Sequence, residues 1–339
     1  MSAAGGAGAS ASASAATATA DRKTAILEAL ETLRKKELAN KESFKAAAYT
    51  KVIKQLQPLP FIRSYDDVKD IAGIGPKIKE KLEELLATGS LAAAERAKTT
   101  HAIGAYDVFL NIYGVGPAKA RSLVEAGYTT IEQLKAAAAT NPKLLNKNQR
   151  IGLEYYAPLL ERIPRAEMDE HARLLHIAAE GEDWAISIVG SYRRGAATSG
   201  DIDVLLRSED PDDLESFVEV LTTSGYAIET LAEGKKKFMG ICRTHPAATP
   251  RRLDILLTPP AEFAFALLYF TGSEEFNVAM RRHALTLGYS LNEHGITATD
   301  GKAGPTTPFP TEESIFEFLG LQYVEPPARA AGAVAVKPL

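Results

Sequence analysis

Three aspartates stand where their side chains could act together. Asp201 and Asp203 lie two apart in GDIDVLL (200–206), whose apolar, β-branched end predicts a strand. Strand side chains alternate faces, so both carboxylates project to one side while Ile202 turns to the core. Asp254 is central in a second such segment, RRLDILL (251–257). If the two strands are neighbours, three carboxylates meet. Like charges this close repel unless a divalent cation lies among them, and the set would hold two Mg²⁺ about 3.5–4 Å apart. One ion then activates an attacking hydroxyl while the other holds a triphosphate and the departing pyrophosphate. An exposed edge strand has the same spacing. Against that reading stand the apolar 204–206 run and the loop in front. That loop, 190–200, brings the hydroxyls of Ser191 and Ser199, the guanidiniums of Arg193 and Arg194, and the glycine backbone of Gly200, all suited to a triphosphate.

A second set of residues lies upstream. DIAGIGPKIKEKLEELLATGSL (70–91) and NIYGVGPAKARSLVEAGYTTIEQL (111–134) are two copies of one pattern. Gly73 and Gly75, then Gly114 and Gly116, permit a tight turn in which a phosphate can approach backbone N–H groups at a helix start. Pro76 and Pro117 fall at the first helical position, where a missing N–H costs nothing. Two such turns, with Lys77 and Lys119 following, predict helix-hairpin-helix units that grip DNA phosphates without reading bases. Lys77 and Lys81 are four apart and share a helix face; by spacing alone they read as two exposed lysines.

The elements that must position these residues fall into two textures. Residues 21–164 are helical in periodicity and carry 23 Lys and Arg against 17 Asp and Glu, whereas 165–339 carry 16 against 26. A basic half joined to an acidic half suits separate DNA-gripping and metal-holding modules, although uneven surface charge alone would look the same. From 165, a helix near 167–180, strands near 225–231, 236–243 and 251–257, and a helix near 211–224 predict an α/β sheet domain. Helices return over 261–325, with short strands near 289–298. No apolar run reaches the 18 or so residues a membrane span needs. One cysteine, Cys242, excludes a disulfide framework and a cysteine zinc site. Residues 1–20, all Ala, Ser, Gly and Thr after Met1, and 327–339 read as solvated tails.

GSYRRGAATSGDIDVLL, RRLDILL and LLYFTGSEEFNVAMRRHAL (267–285) together resemble the family X DNA polymerases. The nearest pattern is the DNA polymerase beta type, with lambda-like features such as FKAAAYTKVIKQL at 44–56. The likeness runs over about 22–329 and implies a multidomain α+β chain: a lyase-type domain at 21–98, a second hairpin domain at 99–162, a palm at 163–260 and a small thumb at 261–326. It implies that Asp201, Asp203 and Asp254 hold the metals, with Mn²⁺ able to replace Mg²⁺, and that Asp254 accepts the primer hydroxyl proton. It implies Ser191, Arg194, Ser199 and Gly200 on the triphosphate, and Tyr269, Phe270 and Gly272 against the sugar, with a cis Gly272–Ser273 bond. Asn277 then contacts the incoming base, Arg281 and Arg252 contact DNA, and a monovalent cation sits at the hairpins. Lys81 matches the lysine that attacks C1′ of an abasic sugar-phosphate, with Lys77 helping to keep it unprotonated. The substrates implied are dNTP and gapped or nicked duplex DNA, for a monomeric base-excision repair enzyme with no membrane role, nuclear if the source is eukaryotic. Three positions depart from the beta pattern: Glu274, Val278 and Leu256 stand where Asp, Lys and Arg are expected. A template-independent terminal transferase is disfavoured by the lack of a long insertion near 240–250, and a non-catalytic DNA-end binder by the complete triad.

Overall fold

In the computed structural model, residues 21–339 are described apart from 41, 99–100, 182–183, 300–303 and 306–307. The N-terminal 20 residues lie outside the described set. The chain divides into two compact units, 1–144 and 145–339.

The first unit is helical: α1 (Lys23–Ala39), α2 (Ser43–Leu56), α3 (Pro76–Thr88), α4 (Ala92–Lys98), α5 (His101–Leu110), α6 (Pro117–Glu125) and α7 (Ile131–Thr140). The apolar spacing predicted for α1 delivers Ile26, Leu30 and Leu33 to a core shared with Val52 and Leu56 of α2 and with Leu82 and Leu85 of α3. Both repeats form the same turn. Gly73 and Gly114 take positive φ (101° and 79°), and Gly75 and Gly116 cap α3 and α6 with φ/ψ of −84°/175° and −86°/176°, each followed by proline.

The second unit opens with α8 (Lys147–Glu154) and α9 (Tyr156–Leu160). They touch the sheet, α8 at the strand spanning 227–233 and α9 at the strand spanning 251–258. β1 (Ile163–Pro164), α10 (Arg165–Ala178), β2 (Ala185–Ile188), α11 (Gly190–Arg193), β3 (Thr198–Ser199) and β4 (Ile202–Arg207) come next. Then follow α12 (Asp213–Thr223), β5 (Ala227–Glu233), β6 (Lys237–Cys242) and β7 (Arg251–Thr258). The main sheet has the order β2-β4-β7-β6-β5. Only β4 and β7 run parallel, and their register sets Asp203 opposite Asp254. Ile202, Val204, Leu206, Leu253 and Ile255 fill the core against Phe217 of α12. The β6–β7 connection spans only residues 243–250, so no long insertion interrupts the sheet.

The unit closes with α13 (Phe263–Thr271), α14 (Glu274–Thr286), the hairpin β8 (Tyr289–Asn292) and β9 (Gly295–Ala298), and α15 (Glu312–Phe318). The chain end departs from the solvated tail expected from its composition. Residues 326–335 form 3₁₀ turns packed on α14, Arg329 is fully buried, and Leu339 N–H donates to the Gly320 carbonyl at 2.9 Å. Small side chains allow the close approach: a Cβ on Gly332 would stand 3.0 Å from Glu275 Cβ. The composition signalled flexibility because one arginine, not an apolar run, anchors the segment.

Candidate active site

The parallel β4–β7 register brings the triad together. Asp203 and Asp254 are cross-strand partners, and Asp201 sits in the turn just before β4. Burial, then the Asp201 and Asp254 charges, push the Asp203 carboxyl up to about 7. Burial also raises Asp254, against the opposing pull of Arg252 and Lys237. Arg252 Nη2 lies 2.5 Å from Asp201 and 3.7 Å from Asp254, with Lys237 Nζ 3.6 Å from Asp254. The two cations therefore offset much of the charge, and among the described residues no ready three-ligand metal cluster is formed. Even so, Asp254 Oδ1 is buried with no hydrogen-bond partner. An orphaned carboxylate oxygen beside a carboxyl this strongly raised fits a hard divalent cation with oxygen ligands. Arg252, expected on DNA, has its guanidinium committed to Asp201. Behind it, buried Arg251 fixes the start of β7 through Glu167 (2.6 and 2.9 Å) and the Glu161 carbonyl (3.2 Å). Its sequence gave no signal beyond charge.

A cleft of about 740 Å³ opens on Asp201 and Asp203 and is also lined by Gly190, Ser191, Arg194, Gly200, Tyr269, Phe270, Gly272, Asn277 and Arg281; Asp254 adjoins it as the cross-strand partner of Asp203. Nearly the whole predicted set thus faces one space. Gly190 takes φ +60°, and a Cβ there would collide with the Asp203 carboxylate. The loop therefore needs glycine to pass so close to the acid. Ser199 does not face the cleft: it is buried and accepts from the Ser191 hydroxyl at 2.9 Å. Arg193, expected beside Arg194 on the triphosphate, turns away to Thr271 Oγ1 (2.7 Å) and Glu312 (2.7 and 3.1 Å). Arg194 remains in the cleft, its Nη1 donating to the Thr271 carbonyl at 2.5 Å. Arg162, which the motif reading passed over, also lines the cleft.

The Gly272–Ser273 bond is cis, as expected. Tyr269 is a hub: its carbonyl accepts from Asn277 Nδ2 at 2.7 Å, Arg281 lies 4.7 Å above its ring, and Phe270 meets it edge-on at 4.9 Å. Arg281 is held from the other side by Glu293 at 3.4 Å. Glu274 and Val278 line the cleft as well. Leu256 packs with Val189, Leu205 and Ala266, an apolar contact where a charge was expected.

In the first unit, a separate pocket of about 740 Å³ is lined by Gly73, Gly75, Lys77 and Lys81 together with Lys36, Lys45, Glu37 and Tyr49. Lys81 Nζ donates to the Lys77 carbonyl at 3.0 Å. Spacing could not find Lys36, Lys45 and Tyr49, because they come from α1 and α2. The second hairpin has the same turn and a different helix. Ala118 and Ser122 replace Lys77 and Lys81, and Lys119 Nζ is bonded to the Leu144 carbonyl at 2.5 Å.

A carboxylate set on a mixed sheet, roofed by a Gly-Ser loop and followed by a small thumb-like unit, is the arrangement of a polymerase palm and thumb. Family models agree: residues 162–260 match the DNA polymerase beta palm and 266–330 its thumb. Residues 107–160 match the fingers domain of DNA polymerase lambda, and 21–91 a helix-hairpin-helix domain. DNA polymerase lambda of Rattus norvegicus is 34% identical over 325 residues, covering 90% of this chain and 56% of the relative. That of Arabidopsis thaliana is 31% identical (85% and 58%), and a DNA polymerase type-X family protein of Schizosaccharomyces pombe 27% (91% and 64%). The chain belongs to the family X DNA polymerases. It spans between 56% and 64% of these relatives' lengths. Among the described residues no helix is long and apolar enough to cross a membrane.

Proposed function

We propose that the chain is a template-directed DNA polymerase that fills short gaps during base excision repair. The observation that carries this is the Asp203–Asp254 register beneath a cleft shared by the Gly190–Ser191 loop and Tyr269–Gly272. In this reading Asp201, Asp203 and Asp254 hold two Mg²⁺ or Mn²⁺, which when bound supply charge neutralisation for the triphosphate and a more acidic primer hydroxyl. Asp254, raised by burial, takes up the primer 3′-OH proton. Ser191, braced by Ser199, and Arg194, aimed by Thr271, orient the triphosphate. Tyr269 and Gly272 crowd the sugar edge, Asn277 meets the base, and Arg281 the template. The hairpin turns at Gly73–Gly75 and Gly114–Gly116 hold DNA phosphates, with a monovalent cation at their carbonyls. The enzyme acts as a monomer on gapped or nicked duplexes, in the nucleus if its source is eukaryotic and otherwise inside the cell.

The lysine pocket of the first unit supports a second activity on the same substrate, 5′-deoxyribose phosphate lyase. The Lys81 amine adds to the C1′ aldehyde of the ring-opened abasic sugar with loss of water, the imine permits β-elimination that breaks the C3′–O bond, and hydrolysis frees the lysine. Lys36, Lys45 and Lys77 surround the site with positive charge that draws the 5′-phosphate. Extension of a primer in a one-nucleotide-gapped duplex, compared with an unpaired single strand, tests the main reading. Product on the gapped duplex alone is expected. Equal extension of the single strand would favour terminal transfer instead.

A further inference from the structure

Thr271, the last residue of α13, is gripped from two directions. Arg194 donates to its carbonyl and Arg193 to its hydroxyl. Thr271 is itself fully buried, so the direction in which Arg194 enters the cleft depends on where Arg193 is held. Arg193 is held by Glu312, and Glu312 by Arg329: Nη1 of Arg329 reaches Glu312 Oε1 at 2.5 Å, while Arg193 takes both carboxylate oxygens. Glu312 is 3% exposed and Arg329 0%. A buried carboxylate between two guanidiniums has few alternative partners, which gives the chain of contacts one geometry. Arg329 is further fixed by the Val324 carbonyl at 2.8 Å and the rings of Phe276, Phe316 and Tyr323 at 5.5–5.7 Å. It also touches the far side of the same segment, where its carbonyl accepts from Ser273 Oγ at 3.2 Å. The 271–273 stretch that walls the nucleotide cleft is thus bracketed by one residue of the chain end.

We propose that Arg329 is a positioning residue for the nucleotide site, acting through Glu312 and Arg193 on the loop that carries Arg194. The inference rests on the polymerase reading and deepens it. The 326–335 segment then belongs to the active site's framework, and any event that lifts it from α14 weakens nucleotide binding.

The test is binding of dATP, with Mg²⁺, to the full chain on a gapped duplex whose primer ends in a dideoxynucleotide, so no turnover occurs. Arg329→Gln should weaken dATP binding about tenfold, the cost of misplacing one phosphate donor, with Arg329→Lys recovering part of the loss. Leu319→Ala, in the same thumb core and outside the Arg–Glu–Arg contacts, serves as the control for lost stability and should bind dATP as the wild type does. In steady-state extension the Arg329→Gln loss should fall on KM for dNTP, with kcat within about twofold. If Arg329→Gln does not fold, Arg193→Gln at the partly exposed end carries the same test. Unchanged dATP binding by the arginine variants, or an equal loss in Leu319→Ala, overturns the proposal. A wild type that binds dATP without extending primer overturns the polymerase reading alone; one that binds no dATP overturns both.

Discussion

Two of the chain's clefts are of similar size and opposite chemistry. The first-unit pocket is lined by four lysines from three helices, with the Lys81 amine on an exposed helix face. The palm cleft has buried carboxylates, and its neighbouring cations are already spent on them. The difference follows from the supporting elements. Helix faces lend charges to solvent, where lysines repel little and can meet a phosphate at small desolvation cost. A parallel strand pair drives two acids into one low-dielectric spot, where they need a cation. The two hairpins repeat the lesson within one unit. Identical turns leave the side chains of the following helix to set the charge beside them: Lys77 and Lys81 after the first, Ala118 and Ser122 after the second.

If the clefts are independent sites, single substitutions should separate them. Asp254→Ala should reduce nucleotide incorporation by about 10³-fold or more, since metal-held charge stabilisation contributes several kcal/mol. It should leave borohydride trapping on an incised abasic duplex intact. Lys81→Ala should do the reverse, removing at least about nine-tenths of the trapped adduct while primer extension stays within about twofold. An adduct that survives Lys81→Ala but not Lys77→Ala would move the nucleophile one turn along α3. Gly190→Ala sharpens the palm half: its Cβ would meet the Asp203 carboxylate, so extension should fall by about 10- to 100-fold in a folded protein, by misplacement of the acid.

A smaller effect is expected from His171, buried under the sheet and bonded to Tyr226 Oη at 2.8 Å. Burial pushes its pKa down from 6.5 to about 4, against the attraction of Glu167. The folded state therefore keeps it neutral while the unfolded chain protonates it first. This contribution is fully present above about pH 6.5 and is lost as pH falls toward 4. In urea unfolding between pH 7 and 4.5, the second unit should lose about 2 kcal/mol more in the wild type than in His171→Gln. Equal losses would mean that the imidazole is not held neutral. Smallest of all, Lys77→Ala should reduce the slope of log affinity for DNA against log salt by about 1. Lys119→Ala should change it less, because that amine is occupied by the Leu144 carbonyl.

Much of this was legible in the sequence, for a local reason. Period-2 alternation placed Asp203 and Asp254 on their strands, and the Gly-x-Gly-Pro turns announced α3 and α6. What escaped depended on distant partners. Arg193 reads as a second phosphate ligand until Glu312 is seen to take it, and Ser199 as a cleft hydroxyl until its burial behind Ser191 is known. Arg329 sat in a stretch of alanine and proline that composition assigns to solvent. Lys36, Lys45 and Tyr49 join Lys81 only through the packing of α1 and α2 on α3. In each case a polar side chain is placed by a partner on another element, from 8 residues away for Ser199 to 119 for Arg193, and neither periodicity nor spacing encodes such pairings.

The most direct test of the central claim is single-nucleotide incorporation into a one-nucleotide-gapped duplex with Mg²⁺, run on the wild type and Asp254→Ala side by side. The account predicts product from the wild type, and from the variant only after about 10³-fold longer reaction or not at all. No product from the wild type, or equal product from both, would contradict it.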